Sequence, residues 1–353
     1  MVKTTKNREC VIKYSDIGDY ITREEKLKII KNTKSIQNIK NWQIIKPDKH
    51  NDWINQRLSK FTEYLPMGNK DTKYGGDTAI FKLYSRGIAT SRDVWVYNSS
   101  SDIVAKNMKL HIDYCNSHNI NNPVKNTKKA KWSEDLISRL KKHKPLFDNN
   151  SIRISLYRPF FKQYVYFDRV YNNSVYRIPD FFPNDYSKNL VICIPDKGKI
   201  GMFSTIITDV TPDLHIIEQS QCFPLYVYEN EKDKKLNITD YALQEYRKYY
   251  NNKKITKKDI FYHVYGLLHH SIYKKKFANN LSREFPHIPF VPNFWKFSNI
   301  GEKLTDLHLN FDTGNKYNLG KPKNKLENFH KLSFGKIKDG DKKRKDKTKL
   351  FMD

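Results

Sequence analysis

The sequence predicts an α+β protein, a mixed or antiparallel β-sheet platform with flanking helices, preceded by a small α/β unit. Three observations predict it. Between Ile152 and Tyr228 lie the strings IRISLY, QYVYFD, SVYRI, LVICIPD, IGMFST and CFPLYVY, separated by Gly, Pro, Asn and Asp, the spacing of an antiparallel sheet or curled barrel. Long helical periodicity returns after them, over residues 240–250 and 257–280. The opening residues hold one strand-like and one helix-like stretch, too little for a domain.

In chain order, Cys10–Tyr14 reads as a strand and Ser15–Asp19 as a turn. Thr22–Ile30 reads as a helix, because Thr22 with Glu25 three residues on makes a capping box. Thr78–Tyr84 (TAIFKLY) and Asp93–Tyr97 (DVWVY) read as strands. Ser101–His118 reads as a helix, with Ile103, Val104, Met108, Ile112 and Cys115 near a 3.6-residue period. Residues 121–131 read as a polar, basic linker, and 133–142 as a short amphipathic helix with Ser133 at its N-cap. After the strand region, Gly266 is the weak point of the helix predicted over 257–280. Pro286, Pro289 and Pro292 exclude a helix or central strand, residues 300–309 form a last helix, and the Lys- and Gly-rich residues 313–353 are expected to stay unfolded.

The chain has 353 residues, 38% of them hydrophobic and 14% aromatic, so a core can form and it leans on 23 Tyr and 20 Phe. Lys and Arg number 65 against 38 Asp and Glu, a formal net charge of +27. Such a field attracts polyanions; a coding bias toward Lys, Asn, Ile and Tyr is the plain alternative. Cys10, Cys115, Cys193 and Cys222 form no CxxC or CxxH pair, so zinc and a disulfide framework are both unsupported and free buried thiols are expected. The opening MVKTTKNRECVIKYS has no apolar run of signal-peptide type, and no stretch approaches the ~18 apolar residues of a membrane helix. A soluble, cytoplasmic protein without membrane contact is expected.

Catalytic signatures are missing. There is no Asn- or Asp-Pro-Pro-Tyr, no FxGxG and no GxxxxGK[ST]. Pro195-Asp196 and Pro212-Asp213 supply only the first half of a nuclease metal motif, with no DxK or ExK on a convincing strand. His269 and His270 are helix neighbours pointing about 100° apart, and His263 and His270 lack the acidic residue of HExxH. Neither a catalytic residue nor a metal ligand is assigned.

What remains is binding chemistry. Tyr157, Arg158, Lys162 and Gln163 crowd one turn between two strands, and Arg169, Asn172, Tyr176 and Arg177 continue the pattern. Arg86 and Arg92 flank a Gly-bearing turn. Arg forks read guanine and Asn or Gln read adenine, while Lys holds phosphate. The structural alternative is that Phe160, Tyr164 and Tyr166 are sheet core and that Arg158 makes an internal pair. It is favoured for Phe160 and Tyr164 and left open for Arg158.

In the order YSDIGDYITREEKL, IIKPDKHNDWINQR, SRGIATSRDVWVYN, YRPFFKQYVYFD, FPLYVY, FYHVYGLLHHSIYKKKFANNLSREFPHIPF and GEKLTDLHL, the chain resembles the carboxy-terminal specificity region of type ISP restriction–modification enzymes over residues 10–310. Those are single chains joining a nuclease, a helicase-like motor, an adenine-N6 methyltransferase and a target-recognition domain. The resemblance implies that residues 1–40 are the last strand and helix of a methyltransferase domain, 41–145 a connecting α/β segment, 146–312 the recognition domain and 313–353 a basic tail. It also implies double-stranded DNA as partner, and a methyltransferase/helicase–nuclease polypeptide encoded upstream that would hold S-adenosylmethionine and ATP with Mg. No cofactor is expected in this chain. The alternatives are a methyltransferase or nuclease component with a degenerate site, or an inert fragment of a broken gene.

Overall fold

The computed structural model describes residues 11–19, 21–69, 77–122, 129–198 and 203–314. The described residues up to Asp312 form one compact unit. Its first part is a strand–helix–strand unit: β1 (Ile12–Tyr14) pairs antiparallel with β2 (Gln43–Ile45), and α1 (Arg23–Thr33) lies between them in sequence. The expected Thr22–Glu25 capping box starts α1. No described residue before Phe61 is buried, and Leu27, Ile30, Ile36 and Ile44 are open to solvent.

The main body follows. β3 (Leu65–Pro66), β4 (Ser85–Arg86), α2 (Asp93–Val96), β5 (Tyr97–Asn98), α3 (Ser101–Ser117) and α4 (Glu134–Lys142) lead into the strands β6 (Ile152–Arg158), β7 (Phe161–Tyr166), β8 (Val191–Ile194), β9 (Ile206–Thr208), β10 (Thr211–Pro212), β11 (Gln221–Pro224), β12 (Tyr226–Tyr228) and β13 (Lys234–Leu236). Helices α5 (Asp240–Tyr249), α6 (Lys257–His269), α7 (Ser271–Lys276) and α8 (Ala278–Leu281), strand β14 (His287–Ile288) and helix α9 (Phe294–Leu309) complete it. One sheet has the order β10-β6-β7-β5, with β10 parallel to β6 and the other pairs antiparallel. A second, antiparallel sheet has the order β4-β11-β8-β9. The predicted α+β class is the observed one, and of the two expected platforms, mixed or antiparallel, the first sheet is mixed through the parallel β10–β6 pair and the second is antiparallel.

The second sheet divides two hydrophobic cores. Side chains alternate across a strand, and here both faces are covered. Ile192, Ile194, Ile207 and Phe223 join one core with Phe261, Val264, Tyr265 and Leu268 of α6. Val191, Cys193, Ile206 and Cys222 join the other with Val104, Met108 and Ile112 of α3 and Leu156 and Val165 of the first sheet. This explains why β8 reads as an uninterrupted apolar run. The Cys115, Cys193 and Cys222 thiols are buried and free, as expected; Cys10 lies outside the described residues.

Four local expectations are corrected. Residues 78–84 bury Ala79, Ile80, Phe81 and Leu83 but are not a strand: Phe81 makes one bridge, to Ile238, and the Asn237 side chain pairs with both the N–H and the C=O of Leu83. Residues 93–96 form a helical turn, because Thr90 hydrogen-bonds the Asp93 carboxylate three residues on and closes the chain before β5. The SVYRI string contributes one bridge at Ser174 and then turns at Tyr176 with φ 45°. The helix expected over 257–280 stops at His270, whose ψ of 121° is extended, and not at Gly266. Gly266 and Gly301 are the contact point of α6 and α9: a Cβ on Gly301 would lie 1.9 Å from the Tyr262 carbonyl oxygen. Of the expected IGMFST strand, residues 200–202 lie outside the described residues, and the strand seen nearby is β9. Part of the expected 121–131 linker, residues 123–128, also lies outside them. Among the described residues no helix is long and apolar enough to cross a membrane.

Two outcomes follow from this packing. In an open helix Gly→Ala stabilises by about 1 kcal/mol, but Gly301→Ala is expected to destabilise by about 3 kcal/mol, the upper range for overpacked sites. Chemical denaturation reads the sign, and an unchanged or raised midpoint would refute the α6–α9 contact. The second concerns protons. Burial depresses His263 to about 3 and His111 and His269 to about 4. The unfolded chain therefore takes up protons below about pH 6.5 that the folded chain refuses, and stability falls as pH drops from 6.5 toward 4, by up to about 1.4 kcal/mol per pH unit for each such histidine. Melting curves across that range should show the fall, and His263→Phe should make it shallower.

Candidate nucleic-acid interface

The β6–β7 hairpin organises the candidate residues. Its two strands pair from Ile152↔Tyr166 to Arg158↔Phe161, with an irregularity between Leu156 and Arg158. The turn residue Phe160 adopts φ 56°. It is not sheet core, as the composition of the strand suggested: it is 47% exposed and meets His308 and Phe311 edge-on. Tyr164 is half-buried against the second core and Tyr166 is fully inside it. Lys162 Nζ lies 5.1 Å from the Phe311 ring and 3.8 Å from the Asp312 carboxylate. Gln163 is half-buried and makes no side-chain hydrogen bond among the described residues.

Near the turn end of the hairpin sits a network centred on Asp213, which is 3% exposed. The Arg158 guanidinium lies 3.8 Å from the centre of the Tyr157 ring, and its Nη1 donates to the Asp213 carboxylate (3.0 Å) and to the Tyr157 carbonyl (2.6 Å). Tyr97 Oη donates to the other Asp213 oxygen (3.0 Å) and lies 3.1 Å from Ser155 Oγ. The His215 N–H completes the set at 2.8 Å. Burial pushes the Asp213 carboxyl up from its ordinary value, opposed by the His215 N–H, Tyr97 and Arg158. Tyr157 in turn donates to Asp93 (2.9 Å), whose other oxygen pairs with Thr90. Burial raises the Tyr157 phenol, and the hydrogen bond to Asp93 adds to it.

Asp213 also gathers the preceding loop. Ile88 bridges to it, and Gly87 must be a glycine because a Cβ there would sit 2.4 Å from the Asp213 carbonyl oxygen. Ala89 bridges to Ser174, and the Arg177 N–H donates to Ser85 Oγ at 3.1 Å. Arg86, Tyr176 and Arg177 thus come together around β4, with Arg86 on Asp196 (3.1 Å) and Arg177 on Asp180 (2.7 Å). A cleft of about 530 Å³ opens here, lined among others by Ser91, Trp95, Lys131, Tyr176 and His215. Arg177 also borders a larger cleft of about 1220 Å³ whose walls mix Lys82, Lys235 and Lys257 with Asp77, Glu229 and Asp240.

Two candidates face inward. Arg92 is 2% exposed, and its guanidinium donates to Lys131 O, Tyr171 O and Ser133 Oγ. Asn172 is buried, donating to Tyr166 O and accepting from the Asp168 N–H. Both brace the loop over residues 168–173, which Arg139 of α4 also holds through the Asn172 and Asn173 carbonyls. Neither side chain can reach a ligand in this arrangement. Arg169, on the same loop, is exposed. Arg86, Arg158 and Arg177 are each paired with a carboxylate yet keep 42%, 37% and 42% of their side chains exposed. They are neither swallowed by the core nor free cations, so their use lies in directed donors more than in net charge.

The residues that sequence reasoning missed are Asp213, Asp93 and Tyr97. Pro212-Asp213 drew notice only as half of a nuclease motif; its carboxylate is instead engaged by Tyr97, Arg158 and the His215 N–H.

Residues 79–353 match the family described as the Type ISP C-terminal specificity domain. No curated protein sequence matches the chain. Among solved structures it is similar to a nuclease-deletion mutant of the Type ISP restriction–modification enzyme LlaGI in complex with a DNA substrate mimic, at 35% identity and TM-score 0.73 over 85% of this chain and 24% of that one. It is similar to DrdV in a DNA complex, at 35% identity and TM-score 0.76 over 87% of this chain and 31% of that one. It is also similar to LlaBIII, an ATP-dependent Type ISP enzyme bound to DNA, at 32% identity and TM-score 0.77 over 86% of this chain and 20% of that one. The chain thus spans between a fifth and a third of the length of these relatives. With the family matched over most of the chain and the fold shared with two Type ISP enzymes, this protein belongs to the Type ISP C-terminal specificity-domain family.

Proposed function

We propose that this chain is the DNA sequence-recognition module of a restriction–modification system, holding duplex DNA against the face that carries the β6–β7 hairpin, the 85–92 loop and the 174–177 turn. The observation that carries the reading is the fold shared over 85–87% of the chain with three proteins whose structures hold DNA. The half-exposed Arg86, Arg158 and Arg177, the exposed Arg169 and Tyr176 and the half-exposed Phe160 and Phe161 supply donors and rings on that face. A formal charge of +27 supplies the long-range attraction.

Methyl transfer, ATP-driven movement and strand cleavage belong in this reading to a polypeptide partner, which would bring S-adenosylmethionine and ATP with Mg. Two facts support such a partner. The relatives are three to five times longer than the matched part. The strand–helix–strand unit over residues 11–58 buries no described residue and exposes Leu27, Ile30, Ile36 and Ile44, a face suited to packing on a larger body. Residues 1–40 then act as the edge of the methyltransferase body and 41–145 as the connection. Residues 146–312 carry the recognition surface, and 313–353 form a basic tail.

Phosphate contacts release counterions, so affinity falls steeply with salt. Fluorescence anisotropy on random duplexes should show affinity dropping about a thousandfold or more between 50 and 200 mM salt, as expected for about six phosphate contacts. No binding even at the lower salt would overturn the reading.

A further inference from the structure

The basic candidates differ in what their pairing leaves over. Arg177 spends Nε and Nη2, the two parallel donors of its fork, on Asp180. Arg86 spends Nη2 on Asp196. Arg92 spends all three nitrogens inside the fold. Arg158 spends only Nη1, whose two hydrogens go to the Tyr157 carbonyl and to Asp213. Its Nε and Nη2 have no partner among the described residues, and the side chain is 37% exposed. The edge left over is the two-donor fork that matches guanine O6 and N7 in the major groove.

The edge is also held still. An exposed arginine usually samples many rotamers, and ordering it on binding costs affinity. Here the guanidinium plane rests on the Tyr157 ring at 3.8 Å. Tyr157 is fixed by its bond to Asp93, and its ring packs at 4.5 Å on Tyr97. Tyr97 is fixed by Asp213, the same carboxylate that takes Arg158 Nη1. The side chain is therefore clamped from below by a ring and from one side by a buried carboxylate. Neutralising the charge through Asp213 also makes Arg158 a poor phosphate anchor, which removes the sequence-independent use of the residue.

We propose that Arg158 reads a guanine through its Nε/Nη2 edge, with Asp213 and Tyr157 as the residues that position it. The inference rests on the reading of the chain as a duplex-binding module, and it deepens that reading by assigning one base and one side chain.

The test uses the full chain. Wild-type protein selects duplexes from a randomised pool, and the enriched motif is then rescanned with 7-deazaguanine, which lacks the N7 acceptor, at each guanine. Arg158→Lys keeps the charge and loses the fork, and Asp213→Asn and Tyr157→Phe loosen the clamp. The expected result is one guanine position where wild type loses about 10-fold or more on deaza substitution, the loss of one of the two hydrogen bonds of the fork. Arg158→Lys should lose preference at that position alone and become insensitive to the deaza base there. Tyr157→Phe should weaken the same position and leave other positions unchanged, a pattern that general destabilisation would not produce, and Asp213→Asn should weaken that position most; melting temperature is recorded for each.

If wild type binds no duplex at all, the module reading itself fails. If wild type binds duplex but enriches no motif, or if Arg158→Lys enriches the same motif with the same preferences, base reading by Arg158 is overturned. Uniform loss of binding to every duplex by a folded Arg158→Lys would assign the residue to phosphate and overturn it equally. Should Arg158→Lys fail to fold, the Tyr157→Phe profile decides: an unaltered preference at every guanine overturns the proposal.

Discussion

A carboxylate taken out of water must be surrounded by donors, because an unpaired buried charge costs several kcal/mol. Asp213 is such a group, and the candidate face follows from meeting its needs. One oxygen takes the Tyr97 phenol, and the other takes Arg158 and the His215 N–H. Tyr97 belongs to β5 and Arg158 to the end of β6, so the carboxylate ties together two strands of the first sheet. Through Ile88 and Gly87 its own backbone also pins the loop that follows β4, an edge strand of the second sheet. One buried charge therefore joins the two sheets at the place where the exposed arginines gather.

The rest of the body makes that junction rigid. The second sheet is covered on both faces, with α6 against one side and α3 with the first sheet against the other. Sites built on strands held in this way are more precise than sites on isolated loops. The loops that carry Arg86, Tyr176 and Arg177 are in turn cross-braced by the Ala89–Ser174 bridge and by the inward-facing Arg92 and Arg139. Two residues of binding type, Arg92 and Asn172, thus serve the frame, and the outward residues work because those two do not move.

Much of the fold was legible because the signals were local. The capping box at Thr22–Glu25, Ser133 before α4 and the 3.6-residue period of α3 each lie within one or two turns of chain, and all are present. Strands β6 and β7 were equally visible in their alternating apolar residues. The misses have a common cause. Residues 78–84 look like a strand because they are apolar, yet the backbone of Leu83 is satisfied by the Asn237 side chain, 154 residues away, and Ile80 and Phe81 donate to the Pro66 and Met67 carbonyls. Asp213 looks like a turn residue, and its meaning lies in partners 55 and 116 positions upstream. Nor can the sequence separate an arginine that braces from one that reaches outward. Arg92 and Arg86 flank the same turn, and only the surrounding packing puts the first inside and the second at the surface.

The central claim is that the face assembled on Asp213 is the one that meets DNA. Hydrogen–deuterium exchange of the full chain, with and without a saturating duplex at low salt, tests it most directly. The account predicts added protection in the peptides covering 86–92, 158–162, 174–177 and 213–216, with residues 21–58 unchanged. Protection confined to that N-terminal unit, or to α5 through α9, would contradict it.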